Sequence, residues 1–340
     1  MIFSTIYSKN VLNTREEKQL ILDDVKKSIE ACKNKLSADR YILAPSTEAL
    51  NRFFLENKLA FEEIDCEIPL VEKDLYENIS DKYKFGEMCK TNNILIPKEY
   101  QSIHEIQFPY VAKPKKYFTD KGRIYTPFLI HNEKEKQDFI DKCNPKDFFL
   151  QEFIKGKCLY LLYYFYKNGT VAKFSQSNKI QQPGGKSMLA AESSDFHEGN
   201  ESLKYEKLFK QAGFFGLVMV ETKEADGECY MIEANPRFWG PSQLFVDSDI
   251  NLFEAFLFDN NLLDNKPEYI STTKKIKYFW YGGLVESMKK FNYIVYHDYS
   301  KERFDEEYFE WASSDIYNRD DTKVVFEQEI STICLHQRKN

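Results

Sequence analysis

Excess positive charge is missing. Lysine and arginine number 47 against 54 aspartates and glutamates, a net charge of −7, so the chain has no basic footprint of the kind that holds nucleic acid. No apolar run reaches the length of a membrane span, and Met1-Ile2-Phe3-Ser4-Thr5 has neither the basic start nor the long apolar stretch of a signal peptide. C-x-x-C is absent too. The seven cysteines (Cys32, Cys66, Cys89, Cys143, Cys158, Cys229, Cys334) are odd in number and scattered. They read as reduced thiols of a cytoplasmic protein rather than a disulfide frame or zinc site. The five histidines are isolated, which argues against a histidine metal centre. The glycine-rich turn that normally follows the first strand of a doubly wound domain is missing as well; only Ile2-Phe3-Ser4-Thr5-Ile6-Tyr7 stands there. Repeats and low-complexity tracts are absent. What remains is an ordinary soluble composition in 340 residues, enough for two or three domains.

The most informative stretch that is present runs from Gly216 to Gly240. Gly216-Leu217-Val218-Met219-Val220-Glu221 and Tyr230-Met231-Ile232-Glu233-Ala234-Asn235 are apolar strands joined by a polar turn containing Asp226-Gly227. Each apolar run ends on a carboxylate, and an unpaired buried charge is costly. Two carboxylates and an amide oxygen suit a hard cation such as Mg²⁺, which takes oxygen ligands and brings phosphate with it. Side chains alternate faces, so Glu233 and Asn235 share one. A regular two-residue turn at Asp226-Gly227 would pair Glu221 with Ile232 and put the two glutamates on opposite faces. A shared metal therefore requires an odd-length connection or a β-bulge.

The rest of the chain alternates α/β and α+β patterns. Glu16 to Lys35 has helical spacing, Arg40 to Pro45 reads as a short strand, and Ser46-Thr47-Glu48 opens a capped helix. Ser80-Asp81 caps a helix to about Asn93. Phe108 to Pro114 is a strand ending on Lys113, a polar loop from Lys115 to Arg123 follows, and Glu133 to Lys142 is a helix. Cys158–Tyr166 and Thr170–Phe174 form a hairpin about Asn168-Gly169. Its tyrosines fall on both faces and are assigned to core. Gln182 to Ser187 is a flexible loop, and residues 270–340 are an acidic, aromatic appendage. The expected divisions are 1–80 (N-terminal α/β), 81–150 (lid), 151–265 (core) and 266–340 (C-terminal appendage).

In its order of motifs, from about Arg40 to Leu257, the chain resembles the ATP-grasp superfamily, and within it the carboxylate–amine ligases. The motifs are Asp81-Lys82, Val111-Ala112-Lys113-Pro114, the hinge Leu150 to Gly156, the loop Gly184 to Ser187, Val220-Glu221, and Ile232-Glu233-Ala234-Asn235-Pro236-Arg237. The resemblance implies a Rossmann-like N-terminal domain, a small lid and a central antiparallel-sheet domain. It implies ATP and Mg²⁺ as cofactors, and transfer of the γ-phosphoryl group to a carboxylate to give an acyl phosphate that an amine attacks. The substrates would be a small amino-acid-like carboxylate and an amine. Glu221, Glu233 and Asn235 would hold Mg²⁺, Lys82 and Lys113 would bind the α- and β-phosphates from the lid side, and Arg237 would grip the phosphoryl group. Glu152, with the backbone of Phe153, Ile154 and Lys155, would meet the adenine. Gly184, Gly185 and Ser187 would form the substrate loop, with Lys186 catalytic and Lys179 a second substrate-side cation.

Three features depart from that pattern. The phosphate flap, Lys115 to Arg123, holds only Gly122. The acidic ribose contact falls on Lys157 or Cys158. The N-terminal domain is short of its first strand and helix, which would suit a truncated chain or a subunit completed as a homodimer. Two alternatives to the amide ligase stay open: a thiol or hydroxyl nucleophile, and a non-catalytic nucleotide-binding scaffold.

Overall fold

The computed structural model describes residues 4–329 except 13, 14, 16, 18, 45, 104, 117–125 and 270–274. The expected flap therefore falls mostly outside the described residues, as does Cys334. The N-terminal unit comprises α1 (Leu22–Lys35), β1 (Tyr41–Ile42), α2 (Glu48–Glu56), α3 (Lys58–Glu62) and β2 (Cys66–Glu67), with the two strands paired in parallel. Helix α1 starts at Leu22, later than its apolar spacing suggested. The Thr47 side chain caps α2 by accepting from the Leu50 amide, at 3.3 Å. Val25, Phe54, Phe61 and Cys66 close a small core of its own.

Helices α4 (Lys73–Ser80) and α5 (Lys82–Thr91) follow, separated by Asp81, whose carboxylate accepts from the Tyr83 and Lys84 amides at 3.0 Å each. Phe85 and Cys89, one turn apart, face inward beside Tyr76 and Ile79 and pack against Leu161, Tyr163, Val218 and Val220 of the large sheet. The pair α4–α5 thus lies on the core, although a lid beginning at residue 81 was expected.

The lid sheet comprises β3 (Glu99–Tyr100), β4 (Tyr110–Pro114), β5 (Phe128–Ile130) and β6 (Phe148–Glu152), in the order β3-β6-β4-β5, with α6 (Glu133–Lys142) across it. Phe128, Phe139 and Phe148 pack on one another with centroids 5.0–5.8 Å apart. Residues 153–156 then cross to the other sheet. Gly156 is required there, because a Cβ would lie 2.0 Å from the Glu224 carbonyl oxygen.

The core contains β7 (Lys157–Phe165), β8 (Val171–Gln181), β9 (Met188–Ser194), α7 (Asn200–Gln211), β10 (Gly216–Ala225), β11 (Glu228–Asn235), α8 (Gln243–Asp247) and α9 (Leu252–Asp259). The appendage adds β12 (Lys277–Phe279), α10 (Tyr281–Phe291), β13 (Val295–Tyr296), α11 (Lys301–Glu306) and α12 (Tyr308–Ser313). Together they build a seven-stranded sheet in the order β11-β10-β7-β8-β9-β12, with β13 paired to β8. Alternation along β7 places Leu161, Tyr163 and Phe165 in the cluster under α4, α5 and α7, and Tyr160, Leu162 and Tyr164 in the cluster under α8 and α9. Both faces are covered, as the two-sided aromatics required.

Candidate active site

The β10–β11 hairpin has a two-residue turn. Ala225 pairs with Glu228, and Asp226 and Gly227 both adopt positive φ, 52° and 81°, the turn chemistry that favours an Asp-Gly pair. Continued regularly, that turn would have opposed Glu221 to Ile232. Instead the register shifts between Glu221 and Thr222: Thr222 pairs with Met231, Ile232 has no partner, and Glu221 stands directly opposite Glu233. A β-bulge at Ile232 therefore supplies the parity change, and both glutamates and Asn235 share one face.

The bulge has a second effect. The Ile232 carbonyl accepts from Lys113 Nζ at 2.9 Å. Lys113 reaches it from the end of β4 in the lid sheet and is only 6% exposed. Burial, aided by the nearby Lys82 charge, pushes the Lys113 ammonium down to about 7. A neutral carbonyl is a poor partner for a buried cation, so this lysine is available to an anion.

Lys82 forms an ion pair with Glu233. It is the first residue of α5, where the helix dipole disfavours a cation, so helix stability does not account for its position. Burial lowers its ammonium to about 8, against the opposing pull of Glu221 and Glu48. Lys82 arrives from a core-packed helix, while Lys113 alone of the two comes from the lid sheet.

From Glu233 the contacts run on to Asn235, whose Nδ2 donates to Glu233 Oε1 at 2.8 Å, and to Arg237, whose Nη2 lies 3.4 Å from Asn235 Oδ1. Arg237 Nη1 donates to the Phe238 carbonyl at 3.0 Å, and its Nε is buried without a partner. A buried donor of this kind normally finds an acceptor. Among the described residues, no three His, Cys, Asp or Glu side chains cluster to hold a metal. The donor set Glu221, Glu233 and Asn235 nevertheless fits Mg²⁺, which usually completes its coordination with phosphate oxygens and water.

Two residues were not expected beside Glu221. Cys158 Sγ lies 3.7 Å from Glu221 Oε1, and Tyr160 is its register partner on β7. Burial and the Glu221 carboxylate hold the Tyr160 phenol well above its ordinary value. The hairpin signal around Asn168-Gly169 found β7, but the register that sets Tyr160 against Glu221 depends on β10, which is remote in sequence.

The remaining expected residues are placed as follows. Glu152, the last residue of β6, is exposed, and in the crossing that follows Phe153 is half-buried, Ile154 buried and Lys155 exposed. Gly184 and Gly185 both take positive φ, 76° and 68°, and the loop is closed by the Gln182 amide donating to the Ser187 carbonyl at 3.0 Å. Lys186 points its ammonium at the Phe291 ring, 5.1 Å from the centroid, and Lys179 pairs with Glu192 at 3.5 Å. Lys186 of the loop and Lys179 of β8 are thus engaged locally, and no hydrogen bond or ion pair among the described residues joins them to Glu221, Glu233 or Arg237.

No family model matches the sequence, and no curated protein matches it. Solved structures do resemble it. Biotin carboxylase from Campylobacter jejuni, in a β,γ-ATP complex, shares 14% identity at a TM-score of 0.59, over 80% of this chain and 66% of that one. Rhizobium etli pyruvate carboxylase matches at 14% identity and TM-score 0.58, over 78% of this chain. N5-carboxyaminoimidazole ribonucleotide synthetase from Thermus thermophilus matches at 11% and 0.56, over 74% of this chain and 68% of that one. The chain has the ATP-grasp fold. It spans about a quarter of the pyruvate carboxylase chain and just under two thirds of the Campylobacter one, 26% and 66%. Among the described residues no helix is long and apolar enough to cross a membrane.

Proposed function

We propose that the protein is an ATP-dependent ligase that joins an amino-acid-like carboxylate to an amine through an acyl phosphate. One observation carries this reading. The bulge at Ile232 sets Glu221 against Glu233 and in the same step presents a carbonyl to Lys113, so carboxylates for a metal and under-paired cations for phosphate converge on one strand end.

In the reaction, a substrate carboxylate oxygen attacks the γ-phosphorus and the bond to ADP breaks. The amine nitrogen then bonds to the acyl carbon, phosphate leaves and the nitrogen gives up a proton. Lys113 and Lys82 neutralise the non-bridging phosphate oxygens, which is most of what phosphoryl transfer asks of a protein. Arg237, with an unused buried Nε, forks the transferring phosphoryl group. Mg²⁺ held by Glu221, Glu233 and Asn235 would supply charge neutralisation at the phosphates. The crossing at Glu152 to Lys155 supplies backbone groups for the base. The neighbour solved with a nucleotide analogue, Campylobacter biotin carboxylase, supports ATP as the phosphoryl donor.

The test is ADP release in the presence of Mg²⁺ and pooled amino acids and amines. Release that depends on both a carboxylate and an amine supports the ligase; release that needs a thiol or hydroxyl compound instead moves the reading to that nucleophile. A non-catalytic nucleotide-binding role is favoured by the closed Lys82–Glu233 pair, which a metal would have to open. ATP binding without turnover under every pool would establish that second reading.

A further inference from the structure

A second polar array lies on the same sheet face, away from the phosphate end. Lys223 is two residues beyond Glu221 on β10 and pairs in register with Cys158, so it shares the Glu221 face. Its Nζ lies 2.9 Å from His297 Nδ1, and His297 Nε2 lies 2.8 Å from Gln181 Oε1. Gln181 Nε2 donates in turn to the Lys186 carbonyl at 2.9 Å. Lys223, His297 and Gln181 are each less than 9% exposed.

The direction of every bond is fixed by its neighbour. A lysine ammonium has only donors to give, so His297 Nδ1 accepts. A neutral imidazole that accepts at one nitrogen carries its proton on the other, so Nε2 donates and the Gln181 oxygen accepts. That orients the Gln181 amide nitrogen toward the Lys186 carbonyl. Burial and the adjacent lysine keep the ring neutral, lowering His297 to about 3.

His297 follows β13, which lies beside β8 at Ile180 and Gln181. The same appendage touches the loop twice more: Gln182 Nε2 reaches the Gly283 carbonyl at 3.3 Å, and Lys186 stacks its ammonium on Phe291. Gly184 and Gly185, with positive φ and no atom within 4 Å of a built Cβ, have little else to fix them.

We propose that His297 is a positioning residue of the 182–187 loop, carrying a one-way hydrogen-bond chain from Lys223 on the carboxylate-bearing strand to the Lys186 carbonyl, so that the C-terminal appendage sets the loop against the site. The proposal rests on the ligase reading only in taking this loop as the one that meets substrate.

The test is amide hydrogen exchange of the full chain, read by mass spectrometry at residues 182–188 and, as an internal control, at the crossing 150–156. His297→Phe keeps a ring and removes both nitrogens; Gln181→Met removes the last link. Each is expected to speed loop exchange about five- to tenfold, the worth of one net hydrogen bond, with the crossing unchanged. His297→Gln, whose amide offers both an acceptor and a donor, should restore most of the protection. Unchanged loop exchange in both disrupting variants overturns the proposal. So does equal acceleration at loop and crossing, which would make the histidine a packing residue only. Should His297→Phe fail to fold, Gln181→Met decides the matter. Exchange needs no turnover, so a failed ligase assay and a failed relay are separate results.

Discussion

The two ends of the site are held by opposite means. At the hairpin end, charges converge, and apart from the Lys82–Glu233 ion pair they stay under-paired. Lys113 rests on a neutral carbonyl, Arg237 keeps a buried Nε without an acceptor, and two carboxylates face each other across the bulge. At the loop end, each cation is locally engaged, Lys179 with Glu192 and Lys186 with Phe291, and the backbone hangs on a hydrogen-bond chain that runs from the Lys223 ammonium through the neutral His297 ring. Unsatisfied buried charge is expensive and persists where a ligand completes it. On the proposed reading the hairpin end acts on a charged ligand, whereas the loop end holds a shape.

The largest effect should come from the hairpin. Glu233→Ala is expected to leave the fold intact and lower turnover by roughly 10²–10³ or more, as for loss of a preorganised transition-state contact. Steady-state kinetics beside circular dichroism check it, and wild-type rates would remove Glu233 from the mechanism. Deleting Ile232 tests the geometry rather than the charge. With the bulge gone, the Thr222–Met231 pair is followed directly by Glu221 opposite Glu233, so the carboxylates keep their shared face and only the extra carbonyl that meets Lys113 is lost. Turnover should therefore fall less than in Glu233→Ala, and an equal loss would show that the site depends on the bulge carbonyl as much as on the carboxylate.

Much of this end was legible in sequence. Strand alternation, the Asp226-Gly227 turn and the order of carboxylates could be read locally, and parity alone demanded a correction somewhere between Glu221 and Glu233. What could not be read was where the correction falls, because a bulge is fixed by the ladder partner and by Lys113, 119 residues from Ile232. The asparagine, arginine and Lys113 were named from their motifs, and the structure brings them near Glu233. Lys82 was named too, and it pairs with Glu233, but from a helix seated on the core rather than the expected lid, because the Phe85–Cys89 face that seats α5 reads simply as an apolar stripe. The loop end was less legible still. Its glycines and lysines were visible, but Lys223, His297 and Gln181 lie 74 and 116 residues apart along the chain, and no local pattern links them.

A medium-sized effect should appear in pH. Lys113 and Lys82 have their ammonium values lowered, to about 7 and about 8, and phosphate favours the charged form. Below these values both are already protonated and nucleotide binds at full strength. As pH rises through 7 to 8 the free protein loses those protons, binding must restore them, and affinity should fall by up to about tenfold per pH unit for each group. Titration calorimetry in buffers of different ionisation enthalpy should register proton uptake near pH 8. Lys113→Arg, always charged, should flatten the lower part of the profile, and an unchanged slope in that variant would show that Lys113 does not meet the phosphates.

The smallest effect is the one that most sharply separates the two ends. Lys186 was expected to be catalytic from its place in the glycine loop, yet its ammonium lies over Phe291. A contact of that kind is worth roughly 0.5–1 kcal/mol when exposed. If Lys186 merely anchors the loop, Lys186→Ala should lower kcat/KM by only about two- to fivefold, through KM for the carboxylate more than through kcat, and Phe291→Leu should do the same. If Lys186 swings off Phe291 to meet the acyl phosphate when substrate binds, Lys186→Ala should cost about as much kcat as Glu233→Ala while Phe291→Leu stays near wild type. The pair of variants therefore distinguishes a cation held for shape from one held in reserve.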